Sequence, residues 1–254
     1  MSTVLKFLAF GDSHVPRYFS LVVSSVNSLV GFRPDIVLLA GDIVDRGDVS
    51  GFEFVRSFLR SKYGSEVPIL SVFGNEEYMD RQSIFRERYR DIIWLDDSCW
   101  VSNLSCCKLC VYGSRGSLEK LTPWQSRNAS FLKDLYEKRI YLARENLLKL
   151  RNECDIVILL MHYSPTYLTL EGEPENIYKF LGHRGYEKII YETKPDLVIH
   201  AHSHNSKKWF AKINSSYVIN VSVPAVKSVI AGLIRRFSGE ISLEIITSHE
   251  RKIL

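Results

Sequence analysis

The first half of the chain alternates short, continuous apolar runs with longer amphipathic stretches. In strand-then-helix order these segments are Val4 to Phe10, Tyr18 to Val30, Asp35 to Leu39, Gly51 to Ser61, Ile69 to Phe73 and Arg81 to Arg90. Because uninterrupted apolar runs suit strands buried on both faces, these strands are predicted to lie inside an α/β sandwich. The runs Asp155 to Met161 and Asp196 to Ile199 have the same character.

The second half contains one long amphipathic segment, one irregular segment and a strand-rich tail. Apolar residues from Pro123 to Arg151 recur at helical spacing, which predicts one helix flanking the sheet, with Pro123 in its first turn. Thr166 to Gly185 lacks periodicity and is interpreted as a surface loop. Tyr217 to Val221 and Ile241 to Ile246 are predicted to be strands of a second sheet.

The composition is that of an ordinary globular protein. Its 254 residues suit a single domain over residues 1–254. No apolar run approaches the about 20 residues needed to span a bilayer, and the start of the chain is too short for a secretory signal. These features predict no membrane contact and a cytoplasmic location. The formal net charge of +4 does not by itself indicate nucleic acid as a partner.

The five cysteines lack the spread pattern of a disulfide framework. Four of them, Cys99, Cys106, Cys107 and Cys110, lie in one segment, and the total is odd. No further Cys or His pair follows them at the spacing of a zinc site. They are therefore interpreted as buried or half-buried thiols on adjacent strands.

Potential metal ligands follow the ends of five apolar runs. They are Asp12 and His14 after the first run, Asp42 after the second, Asn75 after the third, His162 after a later run, and His202 and His204 after the next. Strand ends on one edge of an α/β sheet converge, and such sheets bind their ligands outside the carboxyl ends of the strands. The seven side chains are therefore predicted to meet at one metal site.

A mixed set of Asp, His and Asn ligands suits Mn, Fe or Zn, with Mn as the first expectation and Ni as a further alternative. Two divalent metal ions in such a site can clamp a phosphoryl group and activate a water between them. Asp42 is the natural bridge, since a carboxylate has two oxygens and can serve two ions. The ions outweigh the ligand carboxylates in charge, so the pocket is expected to attract anions.

The order Asp-x-His, Gly-Asp-x-x-Asp, Gly-Asn, His and His-x-His, from Gly11 to His204, resembles the calcineurin-like metallophosphoesterase family. The resemblance implies an α/β fold that is a four-layer αββα sandwich of two mixed β-sheets flanked by helices. It implies one ion held by Asp12, His14, Asp42 and His204, and another held by Asp42, Asn75, His162 and His202. The implied activity is hydrolysis of a phosphodiester or phosphomonoester, in a small molecule or nucleotide, by in-line attack of a metal-bridging hydroxide.

One departure from the family pattern bears on catalysis. Gly74-Asn75-Glu76-Glu77 stands where the family commonly has Gly-Asn-His followed by Asp or Glu. Glu76 thus replaces a histidine that, in the family, is thought to stabilise the phosphorane or protonate the leaving group. A carboxyl group can donate a proton if its pKa is raised, but nearby cations oppose that change. Two interpretations of Glu76 stay open, a general acid or a residue beside the ligands that transfers no proton.

Arg46 lies in a motif, Gly41-Asp-Ile-Val-Asp-Arg-Gly47, that resembles one in the protein serine/threonine phosphatases, where the arginine binds phosphate. A guanidinium offers a planar fork to phosphate oxygens, and the alternative is a surface arginine in a turn.

Asp45 is predicted to orient His14 rather than to bind metal. Structural or surface roles are predicted for His200, His183 and Asn220, and sharp turns before ligands for Gly11, Gly41 and Gly74.

Two alternatives stay open beside a phosphoesterase of small molecules. A nuclease would use the same metals, but it needs a basic groove, which the acidic stretch Glu171 to Glu175 opposes if it faces the site. A binding or scaffold homologue would keep the fold and the metals with little turnover. The replacement of the family histidine by Glu76 is the feature that favours it.

Overall fold

A computed structural model of the chain describes residues 3–237 and 240–254. In these residues the strands are β1 (Thr3–Phe10), β2 (Ile36–Leu39), β3 (Ile69–Val72), β4 (Ile93–Leu95), β5 (Ser98–Asn103), β6 (Lys108–Ser114), β7 (Ile156–Met161), β8 (Leu197–His200), β9 (Phe210–Ile213), β10 (Ser216–Asn220), β11 (Ile230–Phe237), β12 (Glu240–Ile246) and β13 (Arg251–Ile253). The α-helices are α1 (Phe19–Ser28), α2 (Phe52–Tyr63), α3 (Gln82–Arg88), α4 (Pro123–Asn128), α5 (Leu132–Glu153), α6 (Gly185–Thr193) and α7 (Val223–Val226). Short 3-10 helices cover Met79–Arg81 and Glu175–Phe180.

Two mixed sheets form the centre of the fold. The first has the strand order β13-β12-β11-β1-β2-β3-β4, and the second has the order β5-β6-β7-β8-β10-β9. Strands β1 to β4 run parallel, and β11 to β13 continue that sheet in antiparallel pairs. In the second sheet β6, β7, β8 and β10 run parallel between two antiparallel edge strands. The carboxyl ends of several parallel strands are therefore available on each sheet.

Alternate side chains of the central strands enter two different cores, because successive residues of a strand point to opposite faces. In β1, Phe7 lies between the two sheets, whereas Leu8 packs with α1 and α2. In β7, Ile158 lies between the sheets, whereas Leu159 packs with α5 and α6. The layers are thus helix, sheet, sheet and helix, which confirms the predicted αββα sandwich.

The long amphipathic segment is two helices rather than the single helix predicted from Pro123 to Arg151. Helix α4 ends at Asn128 and α5 begins at Leu132. The side chain of Thr122 caps α4 in a capping box with Gln125, and Pro123 follows in the first turn as predicted. Helix α4 buries none of its residues, whereas α5 buries one face against the second sheet.

Two other predictions are wrong in part. The segment Ile241 to Ile246 belongs to β12 of the first sheet, not to the second sheet with Tyr217, because β11 and β12 extend the first sheet from β1. The segment Thr166 to Gly185 is not a surface loop throughout. Thr166 and Thr169 are buried, and inside the protein their hydroxyls hydrogen-bond to Glu187 and His200.

The burial predicted for the clustered thiols holds for Cys106 and Cys107, although they lie in the turn between β5 and β6 and not on strands. The prediction is wrong for Cys99, an exposed thiol on β5, and for Cys110. Cys110 forms a disulfide with Cys154, which follows the end of α5. Strand β6 directs Cys110 toward the helical layer that contains Cys154, and sequence spacing does not reveal that proximity. Cys99, Cys106 and Cys107 are free.

The helices of residues 3–237 and 240–254 include none with the length and apolar character needed to cross a membrane.

Candidate metal centre

The candidate ligands lie in loops that follow five parallel strands. Strands β1, β2 and β3 of the first sheet lead into Asp12 and His14, Asp42, and Asn75. Strands β7 and β8 of the second sheet lead into His162, and into His202 and His204. The carboxyl edges of the two sheets thus deliver all seven side chains to one region, as the strand pattern predicts.

Asp12, His14 and His204 form the first ligand group, with one donor atom from each within 4.8 Å of the others. His14 Nε2 lies 3.4 Å from His204 Nε2, and His204 Nε2 lies 3.4 Å from Asp12 Oδ2. Asp12 is fully buried and His14 nearly so. A buried carboxylate and two imidazole nitrogens therefore converge on one small volume.

Asp42, His162 and His202 form the second ligand group, again with donor atoms within 4.8 Å of one another. Asp42 Oδ2 lies 3.5 Å from His162 Nε2, and Asn75 Oδ1 lies 3.0 Å from the same nitrogen. The two groups adjoin, because the backbone N–H of His202 donates to Asp12 Oδ2 at 2.8 Å. The structure therefore brings together all seven of the side chains that the sequence indicates.

The chemistry of the two groups fits divalent cations. Asp12 Oδ1 is buried and has no hydrogen-bond partner within the described part of the chain. A buried carboxylate oxygen without a donor is costly, and a cation satisfies it. Each group combines carboxylate and imidazole donors, a set that suits Mn, Fe or Zn.

Backbone and side-chain acceptors orient two of the imidazoles. His14 Nδ1 lies 3.1 Å from Asp45 Oδ1, and His162 Nδ1 lies 3.0 Å from the carbonyl oxygen of Ala40. A hydrogen bond at Nδ1 leaves the Nε2 lone pair for a metal, as is usual for metal-binding histidines. Asp45 therefore occupies the orienting position predicted for it.

The ligand loops hold unusual backbone conformations. Asp12, His14, Asp42 and His202 all have positive φ, between 39° and 71°. Gly41, at φ 80°, lies so close to Gly74 and His162 that a Cβ would clash with both. A Cβ on Gly74 would meet the Asp42 carboxylate. These tight turns carry strain that is common at functional sites, and the two glycines make it tolerable.

Glu77 holds the Asp42 loop in place, a role that the sequence did not reveal. Its buried carboxylate accepts four backbone N–H bonds, from Asp42 at 2.8 Å, Ile43 at 2.7 Å, Val44 at 3.2 Å and Gly74 at 2.7 Å. One side chain therefore joins the loops after β2 and β3. The only available signal was its place two residues after Asn75, where the family commonly has an acidic residue.

The carboxylates of the centre repel one another without a cation between them. Burial, together with the charges of Glu77 and Asp12, raises the pKa of Asp42 well above its ordinary value. Burial also favours a raised pKa for Asp12, but hydrogen bonding to His204 and the charges of His204 and His162 lower it. Positive charge at this place therefore stabilises the ionised carboxylates.

Three of the four histidines are poised in the neutral form that binds metal. Burial lowers the pKa of His14, lowers that of His162 well below its ordinary value, and lowers that of His202 to about 4. Burial opposes protonation of His204 as well, but its hydrogen bond with Asp12 outweighs that effect and raises its pKa. Of the four imidazoles, His204 therefore keeps its proton to the highest pH, and a cation competes with that proton.

A family model described as calcineurin-like phosphoesterase matches residues 5–206, a range that contains every one of the seven ligand candidates. This chain belongs to the calcineurin-like phosphoesterase family. The family assignment agrees with the resemblance carried by the sequence motifs and with the two-sheet sandwich. A comparison with curated protein sequences finds no significant match.

Solved structures share the fold of this calcineurin-like phosphoesterase at low identity. GAP50, titled the anchor in the inner membrane complex of Plasmodium, aligns with a TM-score of 0.62 and 12% identity over 99% of this chain and 87% of its own. Phosphopantetheinyl hydrolase PptH of Mycobacterium tuberculosis aligns at 0.57 and 12% over 87% and 89%. TT1561 of Thermus thermophilus aligns at 0.56 and 15% over 97% and 100%. At these identities the likeness shows the fold alone.

Glu76 and Arg46 lie at the mouth of the centre in this calcineurin-like phosphoesterase. They line a cavity of 340 Å³, called the polar cavity below, together with His14, Arg17, Asp42, Asp45, Asn75, His202 and His204. The Glu76 carboxylate accepts the backbone N–H of Arg46 at 2.8 Å and the Asn75 amide at 3.3 Å. The backbone N–H of Glu76 donates to Asp42 Oδ1 at 2.7 Å. Glu76 is therefore part of the scaffold around Asp42.

The remaining histidines and Asn220 are placed outside the two ligand groups. His200 is fully buried and lies 2.8 Å from Thr169 Oγ1, as expected for a structural neighbour. His183 Nδ1 accepts the backbone N–H of Gly185 at 2.9 Å. The side-chain amide of Asn220 donates to the carbonyl oxygen of Ser203 and accepts the backbone N–H of Ser222, which is the structural role predicted for it.

Within the acidic stretch, Glu173 turns inward. Its carboxylate accepts hydrogen bonds from the Ser203 hydroxyl at 3.1 Å and the Asn205 backbone N–H at 2.8 Å. These residues flank His204, so Glu173 supports the loop that carries this ligand candidate. Part of the negative charge between Glu171 and Glu175 is therefore occupied inside the fold.

Proposed function

We propose that this calcineurin-like phosphoesterase hydrolyses a phosphodiester or a phosphomonoester with the aid of two divalent metal ions, Mn²⁺ being the first expectation. The observation that carries the proposal is the convergence of seven Asp, His and Asn side chains from five loops. The first ligand group with Asp42 would hold one ion, and the second group with Asn75 the other. Asp42 would serve both through its two carboxylate oxygens.

Bound ions at these groups supply Lewis acidity to phosphoryl oxygens and lower the pKa of a coordinated water toward neutrality.

The chain's own residues hold and orient the phosphoryl group in the polar cavity. Arg46 is exposed there, and its planar guanidinium is suited to two non-bridging phosphate oxygens. Its backbone is fixed by Glu76, which also holds the Asn75 amide so that Oδ1 faces His162. Glu76 therefore acts as a positioning residue in this proposal, and the leaving group takes its proton from water.

A second candidate is a metal-binding scaffold with little turnover. The observation that favours it is the carboxylate of Glu76, which is engaged as a hydrogen-bond acceptor where the family commonly has a proton-donating histidine. A general acid contributes about 10² to 10⁴ in rate, so its loss weighs most on esters with poor leaving groups.

Hydrolysis of bis(p-nitrophenyl) phosphate with added Mn²⁺ tests the proposal, because its good leaving group does not need an acid. We expect turnover in the wild type and a loss of at least about 10³-fold in Asp42→Asn, since metal ions contribute several kcal/mol and each 1.4 kcal/mol is tenfold. Asp134→Asn, on an exposed part of α5, is the matched control and should keep full activity.

A panel of phosphomonoesters, cyclic nucleotides, dinucleotides and single-stranded oligonucleotides then separates the candidates. Metal-loaded protein that hydrolyses none of these compounds would support the scaffold. Preferred cleavage of oligonucleotides that weakens steeply with salt would support a nuclease. Hydrolysis that persists after complete removal of metal would contradict the proposal.

A further inference from the structure

A second and larger cavity adjoins the metal centre. It has a volume of 910 Å³ and shares Asn75 and His202 with the polar cavity. At their common border the ring of Tyr163 packs against the ring of His202, with centroids 4.8 Å apart. A molecule whose phosphoryl group lies at the ligand groups can therefore extend directly into this space.

The walls of the larger cavity are mainly apolar and aromatic. They include Tyr78, Met79, Trp124, Phe131 and Phe180, and we call this space the aromatic cavity. Trp124 is 63% exposed and Phe131 57% exposed, although both are large apolar side chains. Large exposed apolar side chains that gather in one concave place are typical of binding sites.

The fold does not need these aromatic side chains for its own core. Trp124 lies on α4, which buries none of its residues, and Phe131 lies in the break between α4 and α5. Thr122 and Gln125 secure the start of α4 with a capping box, and the Gln125 amide also donates to the Tyr136 hydroxyl at 3.1 Å. Because the helix is fixed but its aromatic side chain stays uncovered, Trp124 is available to a ligand.

Arg115 supplies a polar contact in the same cavity. It is only 7% exposed, and its Nη2 donates to the carbonyl oxygen of Glu77 at 2.9 Å. Its Nε has no hydrogen-bond partner within residues 3–237 and 240–254. Because a guanidinium carries five N–H donors and Arg115 lines the cavity, its side chain can offer a donor to an acceptor on a bound molecule.

We propose that the aromatic cavity binds a planar aromatic group of the phosphoester substrate, with an acceptor atom on that group facing Arg115. This inference rests on the proposed phosphoesterase function for the placement of the phosphoryl group. Stacking of one planar ring on an aromatic side chain contributes about 1 to 3 kcal/mol, which an alkyl group does not reproduce. A nucleobase and a simple aryl ring share this chemistry.

Calorimetric binding of non-hydrolysable phosphonates to the Mn²⁺-loaded protein tests the inference. The probes are 1-naphthylphosphonate, the 5′-methylenephosphonate analogue of AMP, hexylphosphonate and ethylphosphonate. We expect at least one aromatic probe to bind more tightly than both alkyl probes and to lose about 5- to 100-fold in affinity in Trp124→Ala. Ethylphosphonate should change by less than about twofold. The tighter aromatic probe tells a nucleobase from an aryl ring.

Two further variants control the test. Tyr141→Ala removes an aromatic side chain that is also 63% exposed but lies outside the cavity, and it should leave all four affinities unchanged. Trp124→Phe keeps a planar ring and should retain most of the aromatic preference. Hexylphosphonate binding as tightly as the aromatic probes, or equal losses in Trp124→Ala and Tyr141→Ala, would overturn the inference.

The two proposals fail in different ways. If the protein takes up Mn²⁺ and hydrolyses the aryl diester but Trp124→Ala binds every probe normally, the aromatic site is wrong and the phosphoesterase stands. If the protein takes up no metal, the phosphoesterase proposal fails. Adenosine and 1-naphthol then test the cavity alone, and equal weak binding of both to wild type and Trp124→Ala would contradict the aromatic site.

Discussion

The polar cavity and the aromatic cavity meet at Asn75 and His202, yet they come from different kinds of chain segment. The polar cavity is built from loops that directly follow buried parallel strands, so the sheets themselves fix its geometry. The aromatic cavity takes most of its lining from helical segments outside the sheets, namely the stretch from Tyr78 to Asp80, helix α4 with the α4–α5 break, the first turns of α5, and Phe180. In the proposed function this difference separates two tasks: the loops of the sandwich would position the reacting group, and segments outside the sheets would contact the remainder of the substrate.

Among substitutions near the metal centre, Glu77→Gln is expected to have the largest effect on stability and on metal binding. The amide leaves about two of the four backbone N–H groups unsatisfied, so the free energy of unfolding should fall by about 2–4 kcal/mol. Loss of this orientation should also weaken metal binding by about 10- to 100-fold. Urea unfolding and metal titration measure the two effects, with the exposed Glu137→Gln as control. Unchanged stability would show that Glu77 does not hold the loops.

The next-largest effect is expected in the number of protons that the protein releases when it binds metal. The hydrogen bond and charge of Asp12 outweigh burial and raise the pKa of His204, so near neutral pH His204 holds a proton more often than a free imidazole does. Metal affinity should therefore rise with pH, by up to about tenfold per unit, until that proton is lost. His202, with a pKa lowered to about 4 by burial, is already neutral there.

Calorimetry in buffers of different ionisation enthalpy counts the protons released. The His204→Asn variant should release fewer protons than wild type on binding metal, whereas His202→Asn should match wild type. Equal proton counts in the wild type and His204→Asn would contradict this account of the first ligand group.

The smallest effect is expected for Glu76→Gln. A glutamine oxygen can still accept the Arg46 N–H, so hydrolysis of bis(p-nitrophenyl) phosphate should stay within about threefold of wild type. A general acid would be worth about 10² to 10⁴ instead. Rates on a poor-leaving-group ester, compared among wild type, Glu76→Gln and Glu76→His, measure the difference. A large loss in Glu76→Gln on that ester would make Glu76 the acid.

The candidate metal centre was the part of the molecule that the sequence predicted best. Uninterrupted apolar runs mark strands that are buried on both faces, and a polar residue directly after such a run has to lie at the sheet edge. That logic placed Asp12, Asp42 and His162 near one another although they are far apart in the chain. It needed no knowledge of which strands are neighbours.

Features that depend on pairing or on irregular segments were not predictable in the same way. The strand at Ile241 to Ile246 shows its own pattern but not its partner, so its sheet was assigned wrongly. A helical period continues through Ala129 and Phe131 although the backbone does not. Glu77 follows another glutamate, which is typical of a surface, and only the fold shows that four N–H groups surround it.

The aromatic cavity left no periodic signal because its members come from unrelated segments. Tyr78 lies beside a 3-10 helix, Trp124 on α4 and Phe180 at the end of another 3-10 helix. In sequence each belongs to a short apolar group of one or two residues, which is common on protein surfaces. Only their position around one opening beside His202 distinguishes them.

The metal content of the purified protein tests the central claim most directly. Native mass spectrometry after loading with Mn²⁺ should show two ions per chain in the wild type and at most one in Asp42→Asn, because the proposed function has Asp42, of the second ligand group, bind both ions. One ion or none in the wild type, or two ions held equally tightly by Asp42→Asn, would contradict a centre built around that carboxylate.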